Sequence, residues 1–211
     1  MFKSRKAFEA KRKRAEEEAK RIIHEKDVAQ YTHYITTEVE REIFEKYNEI
    51  KDKYDEAYNT INDSNNNDTL NTSLRAYLDS LNEMINLCSE SRNIVKHLIS
   101  DLNKMGVEES VLEEAGDSML SDILSTEEST KKEIISTKEA IKQLENHTVV
   151  EASNFEKSKV IIDKIKSLIR KSHSGTVKAL KNFGTKLVRY IAAIKVALKH
   201  KIKGNNNHKK F

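Results

Sequence analysis

Residues 70–105 read LNTSLRAYLDSLNEMINLCSESRNIVKHLISDLNKM, and this stretch decides the fold. Apolar or small side chains recur in it at alternating steps of four and three residues, which places them on one face of a helix. They are Leu70, Leu74, Tyr77, Leu81, Met84, Cys88, Ser91, Val95, Leu98, Leu102 and Met105. Leu78, Ile85 and Ile99 widen the stripe, which is typical of a helix that touches more than one neighbour in a bundle.

The composition of the whole chain agrees with a helical fold. There is no Pro and no Trp, only five Gly, and 34% of the residues are charged, so the turn residues that a sheet protein needs are scarce. A mean hydropathy of −0.71 indicates a thin core between long helices. The sequence therefore predicts an all-α protein, an elongated helical bundle or coiled coil of long helices with a basic amphipathic C-terminal helix. The single cysteine, Cys88, excludes a disulfide framework.

The segment before this stretch is predicted to form one long helix followed by a loop. Residues 1–61 have a basic start and then a heptad seam, formed by Val39, Ile43, Tyr47, Ile50, Tyr54, Ala57 and Ile61. The run NDSNNNDT at residues 62–69 is rich in side chains that bond their own backbone, so it predicts a polar loop.

The segment after this stretch is predicted to contain shorter helices. Together with this stretch it forms an acidic bundle body, residues 70–147, in which Gly106 and Gly116 are expected to end helices. Residues 148–203 form basic amphipathic helices with a turn at 171–175, and residues 204–211 a disordered tail.

Charge is strongly segregated along the chain although the formal net charge is only +4. Residues 157–211 carry sixteen Lys and Arg against one acid, Asp163. Residues 27–156 carry twelve cations and twenty-eight acids. Such segregation bears on binding partners and on orientation more than on fold.

No motif for catalysis, for a cofactor or for a metal is present in the sequence. The seven histidines include no pair at a spacing of four residues, and neither GxxxxGK[ST] nor GxGxxG occurs. We therefore expect a protein that is not an enzyme and has no catalytic residue, cofactor, metal ligand or small-molecule substrate. No apolar run is long enough to span a bilayer, and the start lacks the apolar centre of a signal peptide. An intracellular, cytoplasmic protein, or one peripheral to a membrane, is expected.

The C-terminal helix supplies the candidate binding site. On a helical wheel its apolar residues form one stripe and most of its cations lie on the other side, a profile that suits an anionic lipid surface. The candidate residues are Lys178, Leu180, Lys181, Phe183, Lys186, Leu187, Arg189, Tyr190, Ile191, Ile194, Lys195, Leu198, Lys199, Ile202 and Lys203. The predicted function is a helical interaction protein that self-associates or docks a partner through coiled-coil seams and attaches to an anionic membrane through this helix.

Other partners are compatible with the same pattern. The stripe could pack inside the bundle while the cations neutralise the acidic body, which needs no external partner. A scaffolding protein whose basic end binds an acidic protein or a nucleic acid is the leading alternative, and a calmodulin-like partner fits the spacing of Phe183, Leu187, Tyr190 and Val196. The heptad seam also predicts a homo-oligomer or a coiled-coil partner. The basic run at residues 11–14 is also compatible with a nuclear location.

Overall fold

The computed structural model describes residues 13–14, 17, 26–107, 110–150 and 155–207. These residues form four long helices and, within the described ranges, no β-strand. Helix α1 is helical over 26–34, passes through a π-helical turn at Ile35–Val39 and continues over Glu40–Asp63. Helices α2, α3 and α4 span Asn67–Lys104, Ser110–Val150 and Phe155–Asn207. The all-α prediction is confirmed.

The four helices pack as an antiparallel bundle. Along each pair of neighbours the residue numbers rise on one helix as they fall on the next: Lys46 pairs with Glu90 and Lys53 with Glu83 between α1 and α2. Asp122 meets Lys186 and Thr126 meets Ala179 between α3 and α4, and Arg75 near the start of α2 pairs with Glu145 near the end of α3. The bundle closes between α1 and α4, where Tyr47 Oη donates to the Leu180 carbonyl oxygen over 3.1 Å, Glu40 pairs with Lys195, and Asn62 accepts from Lys166. Short connections between neighbours produce this up-and-down arrangement.

The core consists of the residues that the periodicity selects. The stripe of α2 is buried from Leu70 to Leu102, and the heptad seam of α1 is buried from Val39 to Ile61 except for the half-buried Tyr47. Full burial of one such side chain contributes about 1.5–3 kcal/mol, so this seam stabilises the bundle itself. The α1 seam therefore lies inside one chain.

The polar loop is shorter in the structure than the sequence predicts. Only residues 64–66 are non-helical, because Asn66 caps α2: its side-chain oxygen accepts from the Thr69 backbone nitrogen at 2.9 Å. Asn62 stays in α1, where its carbonyl and side-chain oxygens accept from Lys166 and Arg170 of α4. These contacts hold the end of α1 against the start of α4.

Three helix breaks predicted in the second half of the chain, at Gly116, at 171–175 and at Gly204, are wrong, whereas the boundary predicted at 147–148 lies close to the observed one between Val150 and Phe155. Helix α3 runs through Gly116, because the missing side chain there allows close packing: a Cβ would lie 2.9 Å from Ile99 Cδ1. Helix α4 runs through 171–175, where Ser172 and Ser174 hydroxyls bond carbonyls of the preceding turn within the helix. It also runs past Gly204 to Asn207, and the predicted tail beyond it, residues 208–211, lies outside the described residues.

Gly106 ends α2 as the sequence predicts. Its φ of +66° is left-handed, and the backbone nitrogens of Gly106 and Val107 bond the carbonyls of Asn103 and Leu102. We expect Gly106→Ala to lower the free energy of unfolding by about 1–2 kcal/mol, because a side chain disfavours this conformation. Urea denaturation measures the loss.

Gly175 provides the matched control for Gly106. It lies inside α4 with open space where a side chain would be added, so Gly175→Ala should raise stability by roughly 0.5–1 kcal/mol. The same sign for both substitutions would contradict the two backbone assignments.

Candidate functional site

The apolar half of the candidate binding site lies in the core of the bundle. Seven of the candidate residues are at most 4% exposed: Leu180, Phe183, Leu187, Tyr190, Ile191, Ile194 and Leu198. Phe183 stacks on Tyr47 of α1 with ring centroids 5.7 Å apart. Tyr190, which the amphipathic pattern would place at a lipid interface, is buried, and its hydroxyl finds no hydrogen-bond partner among the described residues. The stripe therefore faces the other helices.

Some cations of α4 bind other parts of the bundle. Lys186 pairs with Asp122 of α3 at 3.2 Å, and Lys195 with Glu40 of α1 at 2.5 Å. Lys201 donates to the Gly106 carbonyl oxygen at the end of α2. These contacts hold α4 to each of the other three helices. The side chains of Ile202 and Lys203 lie outside the described part of the chain.

A second set of cations faces away from the bundle. We define the outward cationic face by exposed residues of α4: Lys164, Lys171, Lys178, Lys181, Arg189, Lys199, Val177, Val188 and Val196. Lys164, Lys171 and Lys178 follow one another at intervals of seven residues, about 10 Å along the axis, so they form a straight row. None of the six cations pairs with a carboxylate in the described part of the chain.

The valines of this face are unusually exposed for apolar side chains. Val177, Val188 and Val196 are 40%, 51% and 51% exposed, and Val160 near the start of α4 is 66% exposed. Among the described residues, seven large apolar side chains are at least 40% exposed, and four of the seven belong to α4. The face thus alternates cations with apolar side chains.

A groove runs beside this face between α1 and α4. It has a volume of about 450 Å³ and its walls include Phe44, Tyr47, Leu180, Val177 and Val188. Along this seam rings of α1 stack on rings of α4: Tyr47 on Phe183, and Tyr54 and Tyr58 on His173.

A polar layer crosses the centre of the core with one side chain from each helix. Tyr54 of α1 donates to Glu133 Oε2 of α3 over 2.9 Å, and Tyr77 of α2 lies 2.5 Å from Glu133 Oε1. The same Tyr77 oxygen is 2.8 Å from His173 Nδ1 of α4. His173 stacks on Tyr58 with centroids 3.5 Å apart, which fixes the plane of its ring. Glu133 is fully buried, so it depends on these hydroxyls for hydrogen bonds.

Burial shifts the pKa values in this layer in opposite senses. It raises the pKa of the Glu133 carboxyl above its usual range, against the opposing effect of hydroxyls from Thr176, Tyr77 and Tyr54. It lowers the pKa of His173, against the opposing charge of Asp55. Both shifts favour the neutral form.

Other chemistry has little support in the described residues. Burial raises the pKa of the Cys88 thiol to about 11, which disfavours the reactive thiolate. Within the described ranges no three His, Cys, Asp or Glu side chains cluster as metal ligands do. In the same ranges no helix is long and apolar enough to cross a bilayer.

The sequence predictions missed the polar layer, although α3 carries a signal for it. A heptad seam on α3 consists of Met119, Ile123, Thr126, Thr130, Glu133, Thr137, Ala140 and Leu144. All eight are buried, and four are polar. An acidic residue at a core position of a heptad indicates a buried polar layer.

The chain was compared with family models, with curated proteins and with solved structures, and none of the three comparisons gives a match.

Proposed function

We propose that the protein is a non-enzymatic helical bundle that binds an anionic membrane surface through the outward cationic face of α4, while α4 remains in the bundle. In this proposal α4 is a basic amphipathic helix whose apolar side packs internally and whose charged side meets lipid headgroups. The observation that carries it is the outward cationic face itself, on which six exposed cations are interleaved with three exposed valines.

The strength of such binding follows from the number of cations. A Lys or Arg close to an anionic leaflet contributes about 1 kcal/mol, so the six cations contribute up to about 6 kcal/mol, which corresponds to weak, salt-sensitive attachment. The exposed valines add a smaller apolar contribution at the headgroup boundary. A nucleic-acid surface would use the cations equally well but would leave the valines in contact with phosphate and water.

Self-association through the α1 heptad seam has no such support, because that seam is buried within the chain. We therefore propose binding through the surface of α4 and not through a coiled coil between chains.

Vesicle co-sedimentation tests the proposal. The full chain should pellet with vesicles that contain about one third phosphatidylserine at low salt and should be released as salt rises past physiological strength. Vesicles of phosphatidylcholine alone are the control and should not bind it. Failure to pellet with the anionic vesicles at low salt would contradict the proposal. If random RNA binds instead, with log affinity falling linearly with log salt, the nucleic-acid class is favoured.

A further inference from the structure

We propose that Glu133 is a buried proton-binding site that exchanges its proton with solvent through Tyr77 and His173, and that loading the site reverses the direction of this hydrogen-bond chain. The inference is independent of the membrane proposal, because it concerns the core and not the surface of α4.

The chain of contacts runs from the centre of the bundle to its surface. Glu133 has no exposed surface, whereas 14% of the His173 side chain is exposed. Tyr77 lies between them, 2.5 Å from Glu133 Oε1 and 2.8 Å from His173 Nδ1. The direct distance from Nδ1 to Oε1 is 3.9 Å, so a proton passes between the two groups by way of the Tyr77 hydroxyl.

Two protonation states satisfy every member of this chain. When Glu133 is ionised, Tyr77 donates its one hydrogen to Oε1 and accepts a hydrogen bond from His173 Nδ1–H. When Glu133 is protonated, its hydroxyl donates to the Tyr77 oxygen, and Tyr77 donates to a bare Nδ1 while the imidazole carries its hydrogen on Nε2. In both states Tyr54 donates to Oε2.

Loading the site moves three protons by one step each. A solvent proton binds His173 Nε2, the Nδ1 proton passes to the Tyr77 oxygen, and the Tyr77 proton passes to Glu133 Oε1. The net result is one proton on the carboxyl and no charge left on the imidazole. All hydrogen bonds of the chain are kept in both end states. Losing one would be costly, because these groups are buried.

Within the part of the chain that the structure describes, no Lys or Arg pairs with Glu133. The groups that face the layer are Tyr54, Tyr58 and Asp55 of α1, Tyr77 of α2, and His173 and Thr176 of α4. Within the described residues, His173 is the one basic side chain within 4.0 Å of the carboxylate. Its neutral form is favoured by burial, so an ionised Glu133 is an uncompensated charge.

The sign of the stability effect follows from the raised pKa of Glu133. In the unfolded chain this carboxyl has a pKa of about 4.3, and in the bundle its pKa is higher. Between the two values the folded state holds a proton that the unfolded state has lost, so stability falls as pH rises through this window. The contribution of Glu133 to the unfolding constant increases up to tenfold per pH unit there.

Nuclear magnetic resonance of the full chain tests the reversal directly. The ¹³Cδ shift of Glu133 gives its titration midpoint, and the ¹⁵N shifts of His173, assigned by comparison with His173→Gln, give its tautomer. We expect His173 to change from the Nε2–H to the Nδ1–H tautomer as pH rises through the Glu133 midpoint. One unchanged tautomer across that midpoint, an imidazolium there, or a Glu133 midpoint at or below about 4.3 would overturn the proposal.

A pair of variants tests the stability effect separately. The ratio of the wild-type unfolding constant to that of Glu133→Gln should rise up to tenfold per pH unit above about pH 4.3, because the amide stays neutral. Glu128→Gln, which removes one carboxylate at an exposed position on the same helix, is the matched control. Parallel curves for wild type and Glu133→Gln would overturn the proposal, and if that variant does not fold, the resonance titration decides alone.

Discussion

Phe183→Ala is expected to lower the free energy of unfolding by about 3–5 kcal/mol, one of the largest losses that a single substitution can cause in this chain. Phe183 is 1% exposed and stacks on Tyr47, so truncation leaves a cavity between α1 and α4 in addition to the lost transfer free energy. Chemical denaturation followed by circular dichroism measures the change, with an unchanged m value showing that the unfolded state is the same.

Val188→Ala is the matched control for this substitution. It lies on the same helix five residues later and is 51% exposed, so its effect should stay within about 0.5 kcal/mol. If Phe183→Ala were as mild as Val188→Ala, the apolar stripe of α4 would not be packed in the core.

Neutralising three cations of the outward cationic face should have the largest effect on membrane binding. The triple variant Lys171→Gln, Lys178→Gln, Arg189→Gln removes up to about 3 kcal/mol of attraction, which is a loss of about 150-fold in affinity for anionic vesicles. The three side chains are exposed and pair with no carboxylate in the described part of the chain, so folding should change little. Co-sedimentation at low salt measures the affinity.

The same change in net charge on another helix provides the control. Lys132→Gln, Lys138→Gln, Lys142→Gln neutralises three exposed lysines of α3 and should weaken binding far less. Equal losses in the two triple variants would show that net charge matters and that the outward cationic face does not.

The sequence predicts the helical class and much of the core because periodicity reports directly which side of a helix is apolar. The stripe of α2 from Leu70 to Leu102 is buried as its spacing predicts, and Gly106 ends the helix. The same signal identifies the apolar side of α4 but not what covers it, since a stripe that enters a bilayer and one that packs on other helices share one period. Only the positions of α1, α2 and α3 show that Phe183 and Ile194 are covered by protein.

The polar layer and the continuous helices depend on contacts between distant residues. Glu133 meets Tyr77 and Tyr54 at separations of 56 and 79 residues, and no local pattern shows that three other helices bring hydroxyls and an imidazole to it. Likewise, Gly116 resembles a helix end in sequence, but it permits the close approach of Ile99. Local propensity cannot distinguish a glycine that ends a helix from one that allows packing.

The distance between α2 and α4 on the membrane tests most directly whether α4 binds lipid while it remains in the bundle. Spin labels on Asn86→Cys and Asn182→Cys, both exposed positions, would be introduced in a Cys88→Ala background so that no other thiol reacts. Double electron–electron resonance should give the same distance distribution in solution and on anionic vesicles. A longer or much broader distribution on vesicles alone would show that α4 leaves the bundle to bind, which would contradict this account.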